Sequence, residues 1–348
     1  MAQKVGVVRG EIFLKHDTGW GHPECADRLV SIYSMLDQSG LSQKLVEVEL
    51  RQATVDEICL IHSKSHYKVI ENTKGKDVVY LDGDTPTSPH SFESALYAVG
   101  SLINLVDKVL DGELNSGFAL IRPPGHHAER ERAMGFCLFN NIAIASAWAL
   151  REKGLKKILI VDFDVHHGNG TQHSFYKTNE VLYFSSHRYP FYPGTGYFSE
   201  VGDGKGEGFT VNVPLPGGMG DEDYDAVYTK LLLPIALEYN PELVLVSAGF
   251  DPYYQDPLGG MEVTEKGFAR LATILLEIAN KTCNGKIVFT LEGGYSIDGI
   301  ARCIKEIIAL LLGESNPLEP LGKPTSTAEN ILEQLIKYQK NYWRGLGE

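Results

Sequence analysis

Long apolar runs are missing from this sequence of 348 residues. No segment has the ~18 or more uninterrupted apolar residues that a membrane span needs. The first residues, MAQKVGVVRGEIFLKH, lack the apolar stretch and the small-residue cleavage site of a signal peptide. We therefore expect a cytoplasmic protein that has no membrane partner.

Cysteine is scarce and positive charge is in deficit. The five cysteines are widely spread with no CxxC pair, which predicts reduced thiols and argues against a disulfide scaffold. Acidic residues number 45 against 32 basic ones, a formal net charge of -13. That balance disfavours nucleic acid, whose phosphates need a basic face. The balance is compatible with cationic substrates, but simple solubility is the preferred explanation of it.

The sequence is rich in short β-branched runs, and several of them are continuously apolar, as in strands covered on both faces. Helical segments separate the runs from about Ser116 onward, and this alternation is typical of a parallel sheet between helices. We predict an α/β fold of three layers, α/β/α, with a mostly parallel central sheet in a single domain over residues 1–348. The runs are VGVV, GFALI, KILIVDFD, EVLYFSS, FTVNVPL, ELVLVSAG and KIVFTLEGG.

The predicted helices carry recognisable ends. A helix from Asn141 stops at Gly154, another starts at the N-cap Thr264, and acids open a third over residues 221–240. The first ~115 residues are expected to be more helical than the rest. A loop from Asn316 precedes a last amphipathic helix.

Polar segments follow five of the predicted strands directly. In parallel α/β sheets, ligands bind at the carboxyl ends of the strands, so these segments predict one site at one edge. The segments are RPPGHHAE, DVHHGNG, SSHRYP, AGFDP and EGGYS.

Asp162, Asp164 and His166 have the spacing i, i+2, i+4, which on an extended chain places all three on one face. Burying carboxylates at the end of an apolar strand costs several kcal/mol unless they are paired or hold a metal. Oxygen and nitrogen ligands suit zinc, three of them leave a position for water, and Asp251 offers a further carboxylate. The alternative is carboxylates bonded to loop amides beside a buried histidine.

His126 and His127 follow a Pro-Pro-Gly turn, a setting that favours general acid and base chemistry over packing. Asp162 and Asn169 are candidates to orient the two rings. Tyr295 follows two glycines at a strand end, where a phenol can donate to a developing oxyanion or simply pack against a loop. Aromatic residues in MGFCLFNN and HRYPFYPGTG fit an apolar channel and a core equally well.

Taken together, these segments resemble the histone deacetylase and acetylpolyamine amidohydrolase family, which has an arginase-like α/β fold. The resemblance covers about Asp17 to Tyr295, with the motifs in the family's order. The motifs are DTGWGHPECADRL, LDGDTPTSP, RPPGHHAE, GFCLFNN, VDFDVHHGNGTQ, PFYPGTG, VSAGFDPYYQDPLGGM and LEGGY.

The resemblance implies one zinc ion per chain, held by Asp164, His166 and Asp251. Family members also bind potassium through carbonyls near this segment and near Ser185, so the resemblance is compatible with a bound K⁺ as well. The sequence leaves iron or cobalt open in place of zinc.

The resemblance also implies catalytic roles. His127 would be the general base that activates water and then protonates the leaving amine. His126, backed by Asp162, would stabilise the transition state. Tyr295 would donate to the oxyanion.

A substrate tunnel is implied too. Phe136 and Tyr192 would flank it, the Gly135 carbonyl would face the substrate amide nitrogen, and Asp84 would bind the substrate at the rim. Leu258 stands where the polyamine-preferring eukaryotic branch has a glutamate.

Two positions depart from much of the family. Asn169 replaces the aspartate of class I, so the chain is more similar to class II and its bacterial relatives, and the pKa of His127 is expected to be lower. Tyr192 replaces a common phenylalanine, which narrows the tunnel or adds a donor.

The leading hypothesis is a zinc-dependent deacetylase acting on acyl-lysine in peptides or proteins, or on acylated amines. An acetylpolyamine amidohydrolase is the alternative. A catalytically silent acyl-lysine binder and a ureohydrolase with paired manganese rank lower. The sequence leaves the oligomeric state open, and a homo-oligomer fits it.

Overall fold

The computed structural model describes residues 3–347, which form ten strands and eleven α-helices. The strands are β1 (Val5–Val8), β2 (Val46–Glu47), β3 (Val79–Tyr80), β4 (Pro86–Thr87), β5 (Ser116–Ala119), β6 (Ile158–Asp162), β7 (Val181–Arg188), β8 (Thr210–Leu215), β9 (Leu243–Ala248) and β10 (Ile287–Leu291). The helices are α1 (Asp27–Gln38), α2 (Val55–Ile58), α3 (Lys64–Glu71), α4 (Ser91–Leu110), α5 (Asn141–Glu152), α6 (Asn169–Phe175), α7 (Asp221–Val227), α8 (Leu233–Tyr239), α9 (Glu265–Thr282), α10 (Ile297–Leu311) and α11 (Ser326–Gln339).

The central sheet contains eight strands in the order β2-β1-β5-β10-β9-β6-β7-β8, and every pairing in it is parallel. Helices α4 and α5 pack together, with α4 against β1, β5 and β10 and α5 against β9. On the other face, α10 packs between α1 and α9 and contacts β5, while α9 contacts β9. The predicted α/β fold with helices on both sides of a parallel sheet is confirmed.

All seven predicted strands are present, and the buried ones explain the continuous apolar runs. Every residue of β6, β9 and β10 is buried, because helices cover both faces of the sheet. The first 115 residues are more helical than the rest, as predicted, although they also contain β1 and β2 and the small antiparallel hairpin of β3 and β4. Strands of two residues leave no periodic pattern in a sequence.

The predicted helix over residues 221–240 is interrupted. Its middle, Tyr228–Leu232, is a π-helix that joins α7 to α8. Pro234, in the first turn of α8, has no N–H to donate to the preceding turn, which favours a local change in the hydrogen-bond pattern. Asn240 then ends α8 in the left-handed conformation, with φ of 54°.

The strand register brings the functional loops to one edge. Asp162 lies opposite Ser185 of β7 on one side and Ser247 of β9 on the other, and Ser247 lies opposite Thr290 of β10. The segments that follow these strands therefore leave the sheet side by side. This edge is where the sequence predicts the site.

Two further observations concern the described residues. Their five cysteines are all free, and three of them are buried. None of the helices in residues 3–347 combines the length and the apolar character needed to cross a bilayer. The ends of the predicted domain, residues 1, 2 and 348, lie outside the described residues, so its bounds stay a prediction.

Candidate active site

The predicted site residues gather at the carboxyl edge of the sheet. They lie in the segments that follow β5, β6, β7, β9 and β10, and Asp84 lies in the turn between β3 and β4. Asp164, His166 and Asp251 offer ligand atoms that all lie within 4.8 Å of one another, and both carboxylates are fully buried. The Nδ1 atom of His166 is 3.0 Å from Asp164 Oδ1 and 3.1 Å from Asp251 Oδ2. We call these three residues the acidic cluster.

Asp162 lies apart from the acidic cluster. The prediction that Asp162, Asp164 and His166 share one face of an extended chain is therefore wrong, because the chain is extended only as far as Asp162. The strand β6 ends at Asp162 and the chain then bends. The bend is held by Asp162 Oδ1, which accepts from Asp164 N at 3.2 Å, and by Asp164 Oδ1, which accepts from His166 N at 2.9 Å. Asp162 instead faces His126.

The acidic cluster holds two carboxylates against one imidazole. Burial, and then the nearby Asp164, raises the pKa of Asp251 to about 7. Burial alone would lower the pKa of His166, but the two carboxylates raise it to about 10. Close like charges in a buried place are costly unless a cation joins them.

The space around the acidic cluster fits a metal ion. A Cβ on Gly293 would lie 2.4 Å from Asp251 Oδ2 and 2.6 Å from Asp164 Oδ2. A Cβ on Gly249 would lie 2.0 Å from the same oxygen of Asp164. Only glycine leaves these oxygens unobstructed. Two carboxylates and one imidazole form a donor set that zinc accepts.

His126 is held by Asp162. Its Nδ1 lies 3.1 Å from Asp162 Oδ2, and Tyr183 donates its hydroxyl to the same oxygen at 3.0 Å. Because a carboxylate only accepts, Nδ1 carries a proton. Burial would lower the pKa of His126, but Asp162 and Asp164 outweigh it and raise the pKa to about 10. The bond to Asp162 therefore favours the protonated form of the ring.

His127 is held by Asn169 in a fixed tautomer. The Asn169 amide donates from Nδ2 to Glu129 Oε1 at 2.5 Å and to the His127 carbonyl at 3.2 Å, so its Oδ1 faces the ring. His127 Nδ1 lies 2.8 Å from that Oδ1 and must be the donor. The Nε2 atom of a neutral ring then has a free lone pair.

Burial, followed by the charges of His126 and His166, lowers the pKa of His127 well below its usual value. The bond to Asn169 itself raises the pKa. That the pKa is lower than beside an aspartate stays a prediction.

Tyr295 is buried at the same edge on a firmly held loop. Its N–H donates to Asp256 Oδ2 at 2.6 Å. Arg28 donates from Nε to the Gly294 carbonyl at 2.7 Å, and its Cζ lies 5.1 Å from the centre of the Tyr295 ring. Burial and the nearby Asp251 raise the pKa of Tyr295 well above its usual value, so the phenol keeps its proton.

A narrow cavity of about 190 Å³ leads to these groups. The backbone of Phe136, at a left-handed φ of 68°, donates to Thr85 Oγ1 at 3.1 Å. The Gly135 carbonyl accepts from Cys137 Sγ at 3.3 Å. All five predicted substrate-binding residues line the cavity, whose lining is Asp84, Pro124, His126, His127, Gly135, Phe136, His166, Tyr192, Leu258, Gly293 and Tyr295.

Larger cavities lie elsewhere, one of them about 520 Å³ near Asn115 and Gly285 at the amino ends of the strands. That cavity does not contain the acidic cluster or the paired histidines. The arrangement of reactive groups, more than volume, marks the narrow cavity as the candidate active site.

Sequence reasoning missed Glu292. This buried carboxylate accepts from the N–H groups of Gly125 at 2.7 Å and His126 at 3.2 Å, and from Ser247 Oγ at 3.0 Å. It thereby ties the histidine turn to the ends of β9 and β10. The sequence pattern that could have indicated Glu292 is an acidic residue directly before a glycine pair at the end of a strand.

Sequence reasoning also missed a second buried charged group, Glu24, Arg28 and Arg122, which we call the arginine cluster. Arg122 donates to Glu24 from Nη2 at 2.9 Å, and Arg28 donates to it from Nη1 at 2.8 Å. Glu24 and Arg122 are 98 residues apart, so no local pattern reveals their contact.

A parallel sheet with a buried Asp-His-Asp group at its carboxyl edge defines an α/β protein with a candidate metal centre. The family model described as "Histone deacetylase domain" matches residues 22–311. The chain therefore belongs to the histone deacetylase family, and the predicted resemblance is confirmed.

Individual relatives agree. The chain is 42% identical to Histone deacetylase 5 of Arabidopsis thaliana, over 99% of this chain and 55% of that protein. It is 40% identical to a probable deacetylase of Archaeoglobus fulgidus, over 95% of this chain and 91% of that protein. The crystal structure of the HDA15 HD domain superposes with a TM-score of 0.93 at 38% identity, covering 99% of this chain and 96% of that one. The chain spans about half the length of the first two Arabidopsis relatives that it matches.

Proposed function

We propose that this chain is a zinc-dependent deacetylase, an amide hydrolase that removes acetyl or other acyl groups from lysine side chains or from small acylated amines. Membership of the histone deacetylase family and the name of the probable deacetylase support the chemistry. The observation that carries the proposal is the buried acidic cluster, which adjoins His127 in a narrow cavity. Zinc dependence, the substrate and the roles of the residues belong to the proposal.

Asp164, His166 and Asp251 would hold one zinc ion per chain and leave a coordination position free for a fourth ligand. When bound, zinc supplies Lewis acidity, which polarises a carbonyl and lowers the pKa of water towards ~7. Potassium stays part of the proposal, with the backbone carbonyls around β6 and Ser185 as its ligands. We also propose that residues 1–348 form one catalytic domain.

The paired histidines divide the proton chemistry. His127, with Nδ1–H fixed by Asn169, uses its free Nε2 lone pair to take a proton from the attacking water and later returns that proton to the leaving amine. His126 stays cationic beside Asp162 and stabilises the negative charge that develops on the substrate oxygen. Tyr295 donates its phenolic proton in a hydrogen bond to the same oxygen.

The cavity suits an acyl group on a slender chain. Phe136, Tyr192 and Gly135 line the cavity; the two rings would flank the substrate and the Gly135 carbonyl would face its amide nitrogen. Asp84 and Leu258 also line the cavity and would meet the substrate at its mouth. Because an apolar Leu258 offers nothing to a distant ammonium group, we rank acyl-lysine ahead of acylpolyamine.

The test is the release of fluorophore from an acetyl-lysine amide by the purified chain, before and after treatment with a chelator and after zinc is returned. We expect turnover that the chelator abolishes and zinc restores. Acetylputrescine and lysine peptides with longer acyl chains, assayed side by side, rank the substrates. Stoichiometric zinc without turnover of any acylated amine would replace the proposal with a silent acyl-lysine binder.

A further inference from the structure

Tyr192 lines the cavity from a loop without helix or strand, Tyr189–Phe198, which we call the wall loop. The ring of Phe191 stacks on the ring of His166, with centroids 5.2 Å apart and planes at 16°. The ring of Tyr192 meets the ring of His127 edge-on at 5.1 Å. The position of the wall loop therefore sets the width of the cavity directly above the reactive groups.

His167 lies buried beneath the wall loop and has no role in the proposed chemistry. Its Nδ1 is 2.7 Å from the Thr195 hydroxyl oxygen, and its Nε2 is 2.9 Å from Gln172 Oε1. It follows His166 in the chain. One imidazole thus connects the acidic cluster's own segment, the start of α6 and the wall loop.

The surrounding bonds fix which atoms donate. Gln172 donates from Nε2 to the Glu200 carboxylate at 2.7 Å, so its Oε1 must face His167. Asn212 Nδ2 donates to that same Oε1 at 2.7 Å. His167 therefore donates from Nε2, and its Nδ1 accepts the proton of the Thr195 hydroxyl.

A second set of bonds holds the next residues of the wall loop. His187 donates from Nε2 to the Gly196 carbonyl at 2.8 Å. Glu200 Oε1 accepts from the N–H groups of Gly196 at 3.0 Å and Tyr197 at 2.9 Å. Gly196 has φ of +88°, and a Cβ there would lie 2.5 Å from His187 Nε2 and 2.6 Å from His167 Cγ. The two imidazoles pack so closely beneath the loop that only glycine fits between them and the wall.

We propose that His167 is a positioning residue: by accepting the Thr195 hydroxyl proton and donating to Gln172, it holds the wall loop at the distance from the acidic cluster that an acyl-lysine chain requires. The inference rests on the proposed function for the identity of the substrate, but the anchoring of the loop does not depend on turnover. A polar network in which both ring nitrogens of the buried His167 are bonded specifies one loop conformation, which apolar packing alone would leave less defined.

The test removes the anchor at its far end, because a change at His167 itself would also disturb the neighbouring His166. Thr195→Val keeps the shape of the side chain and removes the hydroxyl, whereas Thr195→Ser keeps the hydroxyl. The matched control is Thr229→Val, on the π-helix away from the cavity, which removes a hydroxyl that donates to Asp225 Oδ1 at 3.0 Å and accepts from Arg270 Nη2 at 3.5 Å.

Two readouts apply to each variant: hydrogen–deuterium exchange of the amides in residues 189–198, and steady-state kinetics with acetyl-lysine peptide. In Thr195→Val we expect exchange in the wall loop and KM each to rise about five- to tenfold, the value of one buried hydrogen bond. The kcat and the zinc content should stay within about twofold of wild type. Thr195→Ser and Thr229→Val should resemble wild type in both readouts.

Exchange or KM of Thr195→Val equal to that of wild type would overturn the inference, as would an equal rise in Thr195→Ser or a loss of kcat together with zinc. Faster loop exchange in a chain whose wild type hydrolyses no acylated amine would leave the anchor standing and remove the proposed function.

Discussion

Two buried charged groups at the same edge of the sheet differ in how their charge is balanced. In the arginine cluster, two guanidinium groups surround the carboxylate of Glu24. Burial would raise the pKa of that carboxylate, but Arg122 and then Arg28 lower it to about 2. In the arginine cluster the charge of the carboxylate is neutralised by the protein's own side chains, and one positive charge is left in excess.

The acidic cluster has the opposite balance, because it sets two carboxylates against one imidazole, and the pKa of Asp251 is raised to about 7. Equal burial therefore goes with pKa shifts in opposite directions for Glu24 and Asp251, whereas His126 and His166 outweigh burial at Asp164 and lower its pKa. The comparison teaches that burial of an acid does not by itself indicate function. An acid whose partner cations come from the fold is structural, whereas paired acids without such partners indicate a bound cation.

The largest effect is expected from Asp251→Asn, which removes one charge of the acidic cluster and keeps the side chain's shape. Zinc content should fall from one per chain to near zero and turnover by more than about 10³, since the Lewis acid supplies several kcal/mol of transition-state stabilisation. Metal analysis and the fluorogenic assay measure both. When both proteins are metal-free in the presence of chelator, the free energy of unfolding of Asp251→Asn should lie no more than about 1 kcal/mol below that of wild type. It could also be higher, because the substitution removes a contact of like charge with Asp164.

Glu24→Gln should lower the stability of the fold, in contrast to Asp251→Asn, which should lower zinc content and turnover. It leaves two buried guanidinium groups without their carboxylate, so the free energy of unfolding in urea should fall by about 3–5 kcal/mol. The control is Glu47→Gln, which breaks the half-exposed pair with Arg9 and should change stability by less than about 1 kcal/mol. If Glu24→Gln were as stable as wild type, the distinction between the two clusters would fail.

Tyr295→Phe tests whether the phenol on the loop that Arg28 of the arginine cluster holds takes part in the chemistry. We expect kcat to fall by about 10²–10³, the usual loss on removing one oxyanion donor, with KM and zinc content unchanged. Tyr33→Phe is the matched control, because it removes a phenol that donates to the Leu120 carbonyl at 3.0 Å. Rates of Tyr295→Phe equal to wild type would remove the phenol from the mechanism.

The smallest expected effect is the change in stability with pH that the Glu24 carboxyl causes. The folded-state pKa of Glu24, about 2, lies below the ordinary value of 4.5, so the folded chain binds this proton less readily than the unfolded chain. The stabilisation is complete above pH 4.5 and is lost as the pH falls from there towards 2. The stability difference between wild type and Glu24→Gln should accordingly narrow across that range. A constant difference from pH 6 to pH 3 would contradict the assigned pKa.

Much of the fold was predictable, because strands that are buried on both faces of the sheet consist of continuous apolar runs such as Ile158–Val161. The site edge was predictable for a related reason, since parallel strands end together and polar residues such as Asp164 and Tyr295 follow them directly. The bend after Asp162 was not, because it depends on carboxylate bonds to the next amides. The contact of Glu24 with Arg122 and the place of His167 under the wall loop require the folded chain, since their partners are distant in sequence.

The most direct test of the central claim is a titration of zinc into the chelator-treated wild-type chain, with turnover of acetyl-lysine amide followed at each addition. The proposal predicts no turnover at the start and a linear rise that saturates at one equivalent. Full turnover without a divalent cation, or saturation only at two equivalents, would contradict a single ion held by Asp164, His166 and Asp251.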